Sequence, residues 1–292
     1  MPADIIDGKM IAGQIRKELK TEVDELREKG IIPGLATVLV GEDPASQLYV
    51  GMKQKACEKI GIYSEQHTLP EDTPESVLLE LIKELNNKQS INGILVQLPL
   101  PAGIDANKIL LAIDPLKDVD GFHPVNIGRL SSKKTMKEIE EENIFLPCTP
   151  YGIIHLLKHT GVELGGMEAV VVGRSNIVGK PVAMLLLAEN VTVTICHSRT
   201  KELGEVTERA DILVAAIGKP GMITADMVKE GAIVIDVGSN KTEDGVVGDV
   251  DFESVKEKAK AITPVPGGVG PMTITMLLSN TVKSAKMASE KQ

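Results

Sequence analysis

Aromatic side chains are scarce in this chain of 292 residues, which has no tryptophan, three tyrosines and three phenylalanines. A surface that stacks nucleic-acid bases needs such rings. The formal net charge of −9 would in addition repel the phosphates of nucleic acids and of anionic membranes. The composition therefore argues against a nucleic-acid-binding protein and against a protein that binds membrane surfaces.

Cysteines and long apolar runs are also scarce. Cys57, Cys148 and Cys196 are far apart, odd in number and form no C-x-x-C pair. We therefore expect a reducing, cytoplasmic environment and no metal centre. No stretch approaches the roughly 20 apolar residues that a membrane span requires. The start, MPADIIDGKM, lacks a basic region followed by an apolar run, so we expect no signal peptide.

The first third of the chain alternates helical and strand patterns. Helices are predicted at 10–29, 44–60 and 74–87, and buried strands at 35–40 and 93–98. Asp43 is suited to cap the second helix, Pro44 to its first turn and Gly61 to its end. Such alternation favours a parallel α/β sheet.

A more regular alternation follows in the second half. Strands are predicted at 168–172, 191–196, 211–217 and 232–237, separated by helices at 179–189, 201–209 and 224–230, with a last helix at 272–287. This order is typical of a doubly wound, Rossmann-type domain. We therefore predict two domains, 1–122 completed by the C-terminal helix 272–292, and 123–271. The charged run 131–143 is interpreted as a solvated helix or loop between them.

A loop between a strand and a helix indicates a dinucleotide site. The strand at 168–172 runs directly into Gly173, and Gly179 opens the next helix. Glycines at this place let backbone N–H groups approach a pyrophosphate at the helix N-terminus. The spacing is G-x(5)-G rather than G-x-G-x-x-G, and a simple tight turn is the alternative.

The end of the following strand indicates which dinucleotide would bind. It reads His197-Ser198-Arg199-Thr200, without the Asp or Glu that an NAD site usually places there. Serine and arginine suit a 2′-phosphate, because guanidinium groups form bidentate bonds to phosphate oxygens, and Arg174 lies across the loop. A solvated loop is the alternative, and the pattern favours NADP over NAD.

A candidate reaction site begins on the helix after Pro44. Ser46, Tyr49 and Lys53 are spaced i, i+3 and i+7, which places them on one face of that helix. A lone lysine on a helix is usually solvated, but Gln97 ends a buried strand, at the kind of sheet edge where α/β proteins bind ligands. The acidic turn KDVDGF (117–122) adds two aspartates, and an Asx-turn is the alternative role for either of them.

Six segments of the chain resemble the bifunctional methylenetetrahydrofolate dehydrogenase/methenyltetrahydrofolate cyclohydrolase family. They are SQLYVGMKQKACEKIGI (46–62), VQLPLP (96–101), KDVDGFHPVNIGRL (117–130), PCTPYGI (147–153), VVGRSNIVGKP (171–181) and TPVPGGVGPMT (263–273). They occur in the family's order over nearly the whole chain, although the charged stretch 131–145 looks longer than the family's usual connection. The resemblance implies a homodimeric enzyme with a folate-binding domain and an NADP-binding domain. It would oxidise 5,10-methylenetetrahydrofolate with NADP and hydrolyse the product to 10-formyltetrahydrofolate.

The resemblance also implies roles for individual residues. Lys53 would be essential for hydrolysis, and Gln97 would hydrogen-bond it and hold it in place. Tyr49 would border the pterin–aminobenzoyl system, and Asp120 would bind the pterin ring nitrogens. The further substrate contacts implied are Ser46, Leu98, Pro99, Gly268 and Pro271. The NADP contacts implied are Gly173, Arg174, Ser175, Ile177, Val178, His197, Ser198, Arg199, Ala216, Gly238 and Thr273.

The chemistry of the two reactions agrees with these residues. Hydride loss leaves a cation stabilised by two nitrogens, so oxidation needs alignment more than a strong base. Hydrolysis must move protons, which a lysine of lowered pKa can do. A monofunctional NAD-dependent dehydrogenase and a non-catalytic nucleotide-binding regulator are the rival hypotheses. Tyr49, Lys53 and Gln97 together argue against a loss of hydrolysis, and Ser198 and Arg199 argue against NAD. A regulator would need the glycine loop but neither Lys53 nor Asp120, so their presence argues against it.

Overall fold

The computed structural model describes residues 2–243 and 245–290, and it has the α/β architecture that the alternating patterns predict. Met1, Asp244, Lys291 and Gln292 lie outside the described residues, as do the outermost ends of the predicted span 1–122 with 272–292. Within the described ranges, no helix is long and apolar enough to cross a membrane.

Helices and strands alternate along most of the described chain. The strands are β1 (Asp4–Ile5), β2 (Gly34–Val40), β3 (Tyr63–Leu69), β4 (Gly93–Val96), β5 (Glu168–Val172), β6 (Thr192–Cys196), β7 (Ile212–Ala215), β8 (Ile233–Asp236), β9 (Asn240–Thr242), β10 (Gly245–Val247) and β11 (Ala261–Ile262). The helices are α1 (Gly8–Glu28), α2 (Pro44–Ile60), α3 (Glu75–Asn87), α4 (Ala106–Ala112), α5 (Pro124–Ser131), α6 (Met136–Glu141), α7 (Cys148–His159), α8 (Gly179–Ala188), α9 (Leu203–Thr207), α10 (Phe252–Val255) and α11 (Val269–Ser289).

Two compact units make up the described chain, and we name each after its largest sheet. The three-strand unit takes Gln14–Arg129, Asn143–Cys148 and the C-terminal segment from Ile274. The six-strand unit takes the N-terminal segment through Gly13, Leu130–Glu142 and Thr149–Thr273. The predicted domains divide the chain differently, by the ligand that each part would bind: folate for 1–122 with 272–292, and NADP for 123–271. This division stays a prediction.

The three-strand unit has a parallel sheet in the order β3-β2-β4 within the described residues. All seven residues of β2 are buried, as expected for a parallel strand covered on both faces. Leu78, Ile82 and Leu85 of α3 recur at helical spacing and pack into the same core. Each such side chain contributes roughly 1.5–3 kcal/mol by leaving water.

Local signals set the ends of α2, the helix that carries the candidate lysine. The Asp43 carboxylate accepts a hydrogen bond from the Ser46 N–H at 2.7 Å, and Pro44 occupies the first turn. Gly61 ends the helix with φ at +86°, a left-handed conformation that costs glycine little. The predicted cap and end of this helix are confirmed.

The sequence patterns miss β3 altogether. Its residues YSEQHTL are mostly polar and only partly buried, so no apolar alternation marks them. The strand exists because every residue from Tyr63 to Leu69 is in register with β2, at the edge of the sheet. Strands β1, β9, β10 and β11 were missed as well, since they are two or three residues long.

The six-strand unit has a parallel sheet in the order β1-β11-β8-β7-β5-β6 within the described residues. The chain passes from β5 outward to β6 and then back across β5 to β7. The strand order is extended first on one side of β5, by β6, and then on its other side, by β7. This reversal next to β5 creates the switch point of a doubly wound sheet. The predicted Rossmann-type arrangement of the strands is confirmed.

Two predicted helices of this unit are shorter than expected. The helix predicted at 201–209 is α9, which covers only Leu203–Thr207. The helix predicted at 224–230 is wrong, because only a single 3-10 turn forms at Ala225–Met227. Val228 then takes an extended conformation and is fully buried in the core, which a continued helix would prevent. The interpretation of 131–143 as solvated also fails for Met136 and Ile139, which are buried on α6.

Candidate active site

Lys53 lies on α2 in the three-strand unit, and its side chain is almost completely buried, with 8% of the residue exposed. The Nζ group donates a hydrogen bond to Oε1 of Gln97 at 2.9 Å. The Gln97 amide donates through Nε2 to the Leu98 carbonyl at 2.7 Å, so its oxygen is the atom that faces the lysine. The predicted spacing and strand end therefore bring Lys53 and Gln97 into direct contact.

The surroundings of Lys53 favour its neutral form. Burial lowers the pKa of Lys53, because the ammonium loses its hydration. Negative charge on Asp120 is the largest influence in the opposite direction, and it raises that pKa. A buried lysine with a lowered pKa and a specific charged neighbour is typical of a functional site.

Asp120 shows the complementary perturbation. Burial raises the pKa of its carboxyl to about 6, and the positive charge of Lys53 opposes this rise. The nearby Asp118 carboxylate adds to the rise by like-charge repulsion. Lys53 and Asp120 therefore form a coupled pair of titratable groups in a poorly hydrated part of the three-strand unit.

The structure distinguishes the two aspartates of the KDVDGF turn. Asp118 is fully buried, and its Oδ2 accepts hydrogen bonds from the His123 N–H and from Nδ2 of Asn126, both at 2.8 Å. Its Oδ1 accepts from the Phe122 N–H at 3.2 Å. Asp118 thus takes the structural role of holding the turn and the start of α5, and Asp120 is left as the candidate that faces Lys53.

The backbone next to Asp120 depends on a glycine. Gly121 has φ at +76°, and a Cβ there would come within 2.5 Å of the Leu146 carbonyl carbon and the Pro147 nitrogen. Both the conformation and the close approach therefore require glycine. The segment 146–148 packs directly on the acidic turn, and the Cys148 N–H donates to the Asp120 carbonyl at 3.3 Å.

Asn280 is a site residue that the sequence patterns missed. From the buried face of α11, its Nδ2 donates to the carbonyls of Val119 at 2.8 Å and Leu146 at 3.0 Å. The Cys148 thiol donates to the same Val119 carbonyl at 3.2 Å, and burial raises its pKa well above the usual value. Cys148 is therefore a packed thiol. An amide side chain within a largely apolar helix sequence was the available signal for Asn280.

The remaining predicted folate contacts belong to both units. Ser46 is buried one turn into α2 and Tyr49 is half-buried on the same helix, before Lys53. Leu98 and Pro99 directly follow Gln97 and are joined by a cis peptide bond. The last two, Gly268 and Pro271, lie in the six-strand unit around the start of α11.

The six-strand unit contains a cleft of about 240 Å³ at the carboxyl ends of β5, β7 and β8. The lining residues lie in the segments after these three strands, except for Asp249, which follows the β9–β10 hairpin: Ser175, Ile177, Val178, Ala216, Ile217, Gly218, Val237, Gly238, Ser239, Asn240 and Asp249. This is the switch point of the sheet, where doubly wound proteins bind nucleotides. Among the predicted cofactor contacts, the structure brings Ser175, Ile177, Val178, Ala216 and Gly238 together here.

The glycine loop folds tightly at the rim of this cleft. Gly173 has φ at +134°, and a Cβ there would collide with the Ala216 carbonyl oxygen. A Cβ at Gly179 would collide with the Gly173 carbonyl oxygen. The Ser175 hydroxyl oxygen accepts from the N–H groups of Val178 at 3.1 Å and Gly179 at 3.2 Å. The loop therefore closes on the N-terminus of α8, where the helix dipole favours an anion.

The other predicted cofactor contacts lie outside the lining of the cleft. His197 follows β6, and its Nδ1 accepts from the Arg199 N–H at 3.1 Å. Ser198, Arg199 and Arg174 are exposed, so their polar groups face solvent. Thr273 shares a hydrogen bond of 2.9 Å with the Thr149 hydroxyl.

Two buried aspartates of this unit, Asp236 and the cleft-lining Asp249, were also missed. Asp236 ends β8, and Asp249 follows the β9–β10 hairpin; both are almost completely buried. Oδ1 of Asp236 accepts from the N–H groups of Gly238 and Asp249, each at 2.9 Å. Burial raises the pKa of Asp236 to about 6. An acid at the carboxyl end of a buried strand, as in IVID, was the available signal.

Comparison with known proteins identifies the family. Residues 6–120 match the catalytic domain of tetrahydrofolate dehydrogenase/cyclohydrolase, and residues 147–289 match the NAD(P)-binding domain of the same family. The chain is 60% identical over 285 residues to the bifunctional protein FolD of Pelobacter propionicus, and the match covers 97% of this chain and 98% of that protein. The chain therefore belongs to the tetrahydrofolate dehydrogenase/cyclohydrolase family, and the resemblance seen in its sequence is confirmed.

Two solved structures are similar over nearly the full length. The bifunctional FolD methylenetetrahydrofolate dehydrogenase/cyclohydrolase of Campylobacter jejuni is 51% identical, with a TM-score of 0.93, and the match covers 98% of this chain and 99% of that one. The methylenetetrahydrofolate dehydrogenase-cyclohydrolase of Trypanosoma brucei, complexed with NADP cofactor and an inhibitor, is 40% identical, with a TM-score of 0.92 and 99% of both chains covered. The fold is therefore shared with enzymes of this family over nearly the full length of the chain.

Proposed function

We propose that this protein oxidises 5,10-methylenetetrahydrofolate to 5,10-methenyltetrahydrofolate with NADP and hydrolyses the product to 10-formyltetrahydrofolate. The observation that carries the proposal is the buried Lys53, hydrogen-bonded to Gln97 and electrostatically coupled to Asp120. Burying the charged form of a lysine costs free energy, and buried lysines with a lowered pKa are typical of sites that transfer protons. It occurs in a family whose relatives carry both activities.

Lys53 acts in the hydrolytic step. Water attacks the cationic amidine carbon of the methenyl group, and protons must leave the water and reach the departing nitrogen. Because burial lowers the pKa of Lys53, more of it is neutral near pH 7 than in solvent, and the neutral amine can accept a proton. Gln97 orients the amine, because its Oε1 is an acceptor and holds one of the Nζ hydrogens in a hydrogen bond.

Asp120 and the residues flanking Lys53 bind the folate. A carboxylate accepts hydrogen bonds from the ring N–H groups of a pterin, and Asp120 provides it. Ser46 and Tyr49 precede Lys53 on α2, while Leu98 and Pro99 follow Gln97, so these side chains border the substrate. We assign Gly268 and Pro271 as further substrate contacts on the family resemblance alone.

The cleft of the six-strand unit suits NADP. Gly173, Gly179 and Gly238 all lie where a side chain would collide with backbone, which lets main-chain N–H groups come close to a pyrophosphate. The exposed Arg199 and Arg174 supply positive charge for a 2′-phosphate, and the four residues 197–200 directly after β6 include no acid to repel it. Bound NADP would accept the hydride in the oxidation. Ser175 and Ser198 of this unit would help to bind it.

We also propose a cytoplasmic homodimer with a folate-binding domain, 1–122 and 272–292, and an NADP-binding domain, 123–271. Three free, buried cysteines support the reducing compartment. The dimer would form through the nucleotide domain, where β6 is an edge strand and Ile195 on it is 40% exposed. Sedimentation of the wild type and of Ile195→Lys tests this, because a monomeric wild type would exclude the dimer.

A two-wavelength assay tests the function. Purified protein is mixed with 5,10-methylenetetrahydrofolate and NADP or NAD, and the reduced cofactor and the methenyl product are followed together, for the wild type and for Lys53→Met. We expect reduced NADP without lasting methenyl product in the wild type, and accumulating methenyl product or lost turnover in the variant. A wild type that reduces NADP while the methenyl product decays at its uncatalysed rate would refute the hydrolytic half. Absence of reduction with either cofactor would refute the oxidative half.

A further inference from the structure

Asp249 is a buried carboxylate to which neither proposed reaction assigns a role. It is completely buried, and its Oδ2 accepts hydrogen bonds from the N–H groups of Ile217 at 2.6 Å and Gly218 at 2.9 Å. Its Oδ1 accepts from the next N–H, that of Lys219, at 2.9 Å. One carboxylate therefore holds three consecutive amides of the loop that follows β7 and forms one wall of the nucleotide cleft.

The opposite wall of the cleft rests on the same residue. Nδ2 of Asn240 donates to Oδ1 of Asp249 at 2.8 Å. Gly238 packs so closely that a Cβ there would lie 2.5 Å from Oδ1 of Asp249. The Asp249 N–H and the Gly238 N–H also share Oδ1 of Asp236 as their acceptor, each at 2.9 Å. Asp249 thus connects the loop after β7 with the loop after β8.

This position requires a side chain with two acceptor oxygens. All four groups that Asp249 binds through its side chain are N–H donors, two on each oxygen. An asparagine of almost the same size would have to present its NH₂ group to two of them, whichever way it turned. Two partly buried donors would then lose their acceptor in the protein, which costs more than losing a fully solvent-exposed hydrogen bond.

We propose that Asp249 is the positioning residue of the nucleotide cleft: it fixes the loops after β7 and β8 in the spacing that binds the cofactor. This rests on the proposed binding of NADP in this cleft. Asp249 is part of the lining of the cleft, but it is completely buried and both carboxylate oxygens accept from protein donors, so its role is to position other groups. It acts through the backbone of 216–219 and 237–240.

The consequence is a selective loss of one activity. Asp249 belongs to the six-strand unit, whereas Lys53, Gln97 and Asp120 belong to the three-strand unit. Disordering the cleft should therefore weaken nucleotide binding and slow the oxidation, while hydrolysis of added methenyltetrahydrofolate without nucleotide continues. A residue that merely stabilised the fold would affect both reactions in proportion.

Asp249→Asn is the variant that tests the proposal, with Asp226→Asn as its matched control. Asp226 is an exposed aspartate of the same unit, away from the lining of the cleft, and it accepts from the Thr224 hydroxyl. The measurements are the Kd for NADPH from its fluorescence, the dehydrogenase kcat and KM for NADP, and the cyclohydrolase rate without nucleotide. For Asp249→Asn we expect a Kd and KM about tenfold higher, with a cyclohydrolase rate within about twofold of the wild type. Asp226→Asn should behave as the wild type.

A second variant covers the case in which Asp249→Asn does not fold. Asn240→Ala keeps the carboxylate and its three backbone donors and removes one side-chain donor. Hydrogen exchange of the 217–219 amides, measured without cofactor, should become faster in this variant. That readout is independent of any contact between Asn240 and the nucleotide.

The outcomes separate this inference from the proposed function. Unchanged NADPH binding in Asp249→Asn, or unchanged exchange at 217–219 in Asn240→Ala, would refute the positioning role and leave the bifunctional reaction intact. Parallel loss of both activities in a folded Asp249→Asn would also refute it. A wild type that neither binds NADPH nor reduces NADP would refute the proposed function, and this inference with it.

Discussion

Replacing Gln97 by glutamate tests whether hydrolysis depends on a neutral Lys53. The side-chain oxygen of residue 97 lies 2.9 Å from Nζ of Lys53, and it is neutral in the wild type. Gln97→Glu places a carboxylate at nearly the same point with almost no change of shape. The new negative charge favours the ammonium form of Lys53, so less neutral amine is present near pH 7.

The size of the effect follows from the distance and the burial. Two unit charges 4 Å apart attract each other by about 4 kcal/mol when the effective dielectric constant is near 20. Part of this is offset, because the new carboxylate loses hydration at a half-buried position. If half remains, about 2 kcal/mol, the neutral fraction of Lys53 falls roughly thirtyfold, since 1.36 kcal/mol corresponds to a factor of ten. The cyclohydrolase rate should fall by a similar factor.

The assay follows hydrolysis of methenyltetrahydrofolate from about pH 6.5 to about pH 9, a range that extends from near neutrality towards the ordinary pKa of a lysine. In Gln97→Glu the lost rate should return as the pH rises, because the ammonium then deprotonates. Lys53→Arg should give no such recovery, since a guanidinium does not deprotonate in this range. Dehydrogenase turnover is the internal control for folate binding. A Gln97→Glu enzyme that hydrolyses at the wild-type rate near pH 7, or whose loss is independent of pH, would refute the neutral-lysine mechanism.

Three further predictions concern other residues. Because burial raises the pKa of Asp120 to about 6, kcat/KM for folate in both reactions should fall as the pH drops through 6. Asp120→Asn should lower kcat/KM for folate at neutral pH and remove this decrease at acidic pH. Ser198→Asp with Arg199→Ala should shift the ratio of kcat/KM for NADP and NAD towards NAD, since the acid repels a 2′-phosphate and accepts from a ribose hydroxyl. Gly121→Ala should lower the free energy of unfolding by about 1–3 kcal/mol, measured with urea, because alanine is strained at φ +76° and its Cβ meets the backbone at 146–147.

A specific experimental result would contradict each of these three predictions. Folate kinetics that Asp120→Asn leaves unchanged in both assays would exclude this carboxylate from pterin binding. An unchanged cofactor ratio would mean that the 2′-phosphate is recognised away from the segment after β6. An unfolding midpoint equal to that of the wild type would mean that the segments at 121 and 146–147 can separate without cost.

Local sequence signals were sufficient for the helices and strands that carry their own caps or their own apolar pattern. The helix α2 was predictable because Asp43, Pro44 and Gly61 act on neighbouring backbone groups only. The strand β2 was predictable because every residue of it is apolar or small and buried. By contrast, β3 exists through its register with β2, and its polar residues give no indication of that partner.

The same distinction applies to the candidate site. The spacing of Ser46, Tyr49 and Lys53 placed them on one helix, and the family resemblance added Gln97 as the partner that the structure shows at 2.9 Å. Asn280 and Asp249 could not be found in this way. Their acceptors and donors are backbone groups far away in sequence, 161 residues for Asn280 and Val119, and 31 for Asp249 and Gly218. Spacing rules describe neighbours on one element, and these contacts join separate ones.

The two aspartates of the KDVDGF turn show why composition alone does not assign chemistry. Both are acids in one buried turn, two residues apart, and the sequence offers either for the Asx-turn. Residues that follow both aspartates determine which of them is structural. Phe122, His123 and Asn126 donate hydrogen bonds to Asp118 and use both of its carboxylate oxygens. A carboxylate whose lone pairs are occupied in this way has little capacity left for a ligand. Burial raises the pKa of both carboxyls. At Asp118 these protein hydrogen bonds oppose the rise, whereas at Asp120 the positive charge of Lys53 is the main opposing influence, so Asp120 keeps more capacity for a substrate with N–H donors.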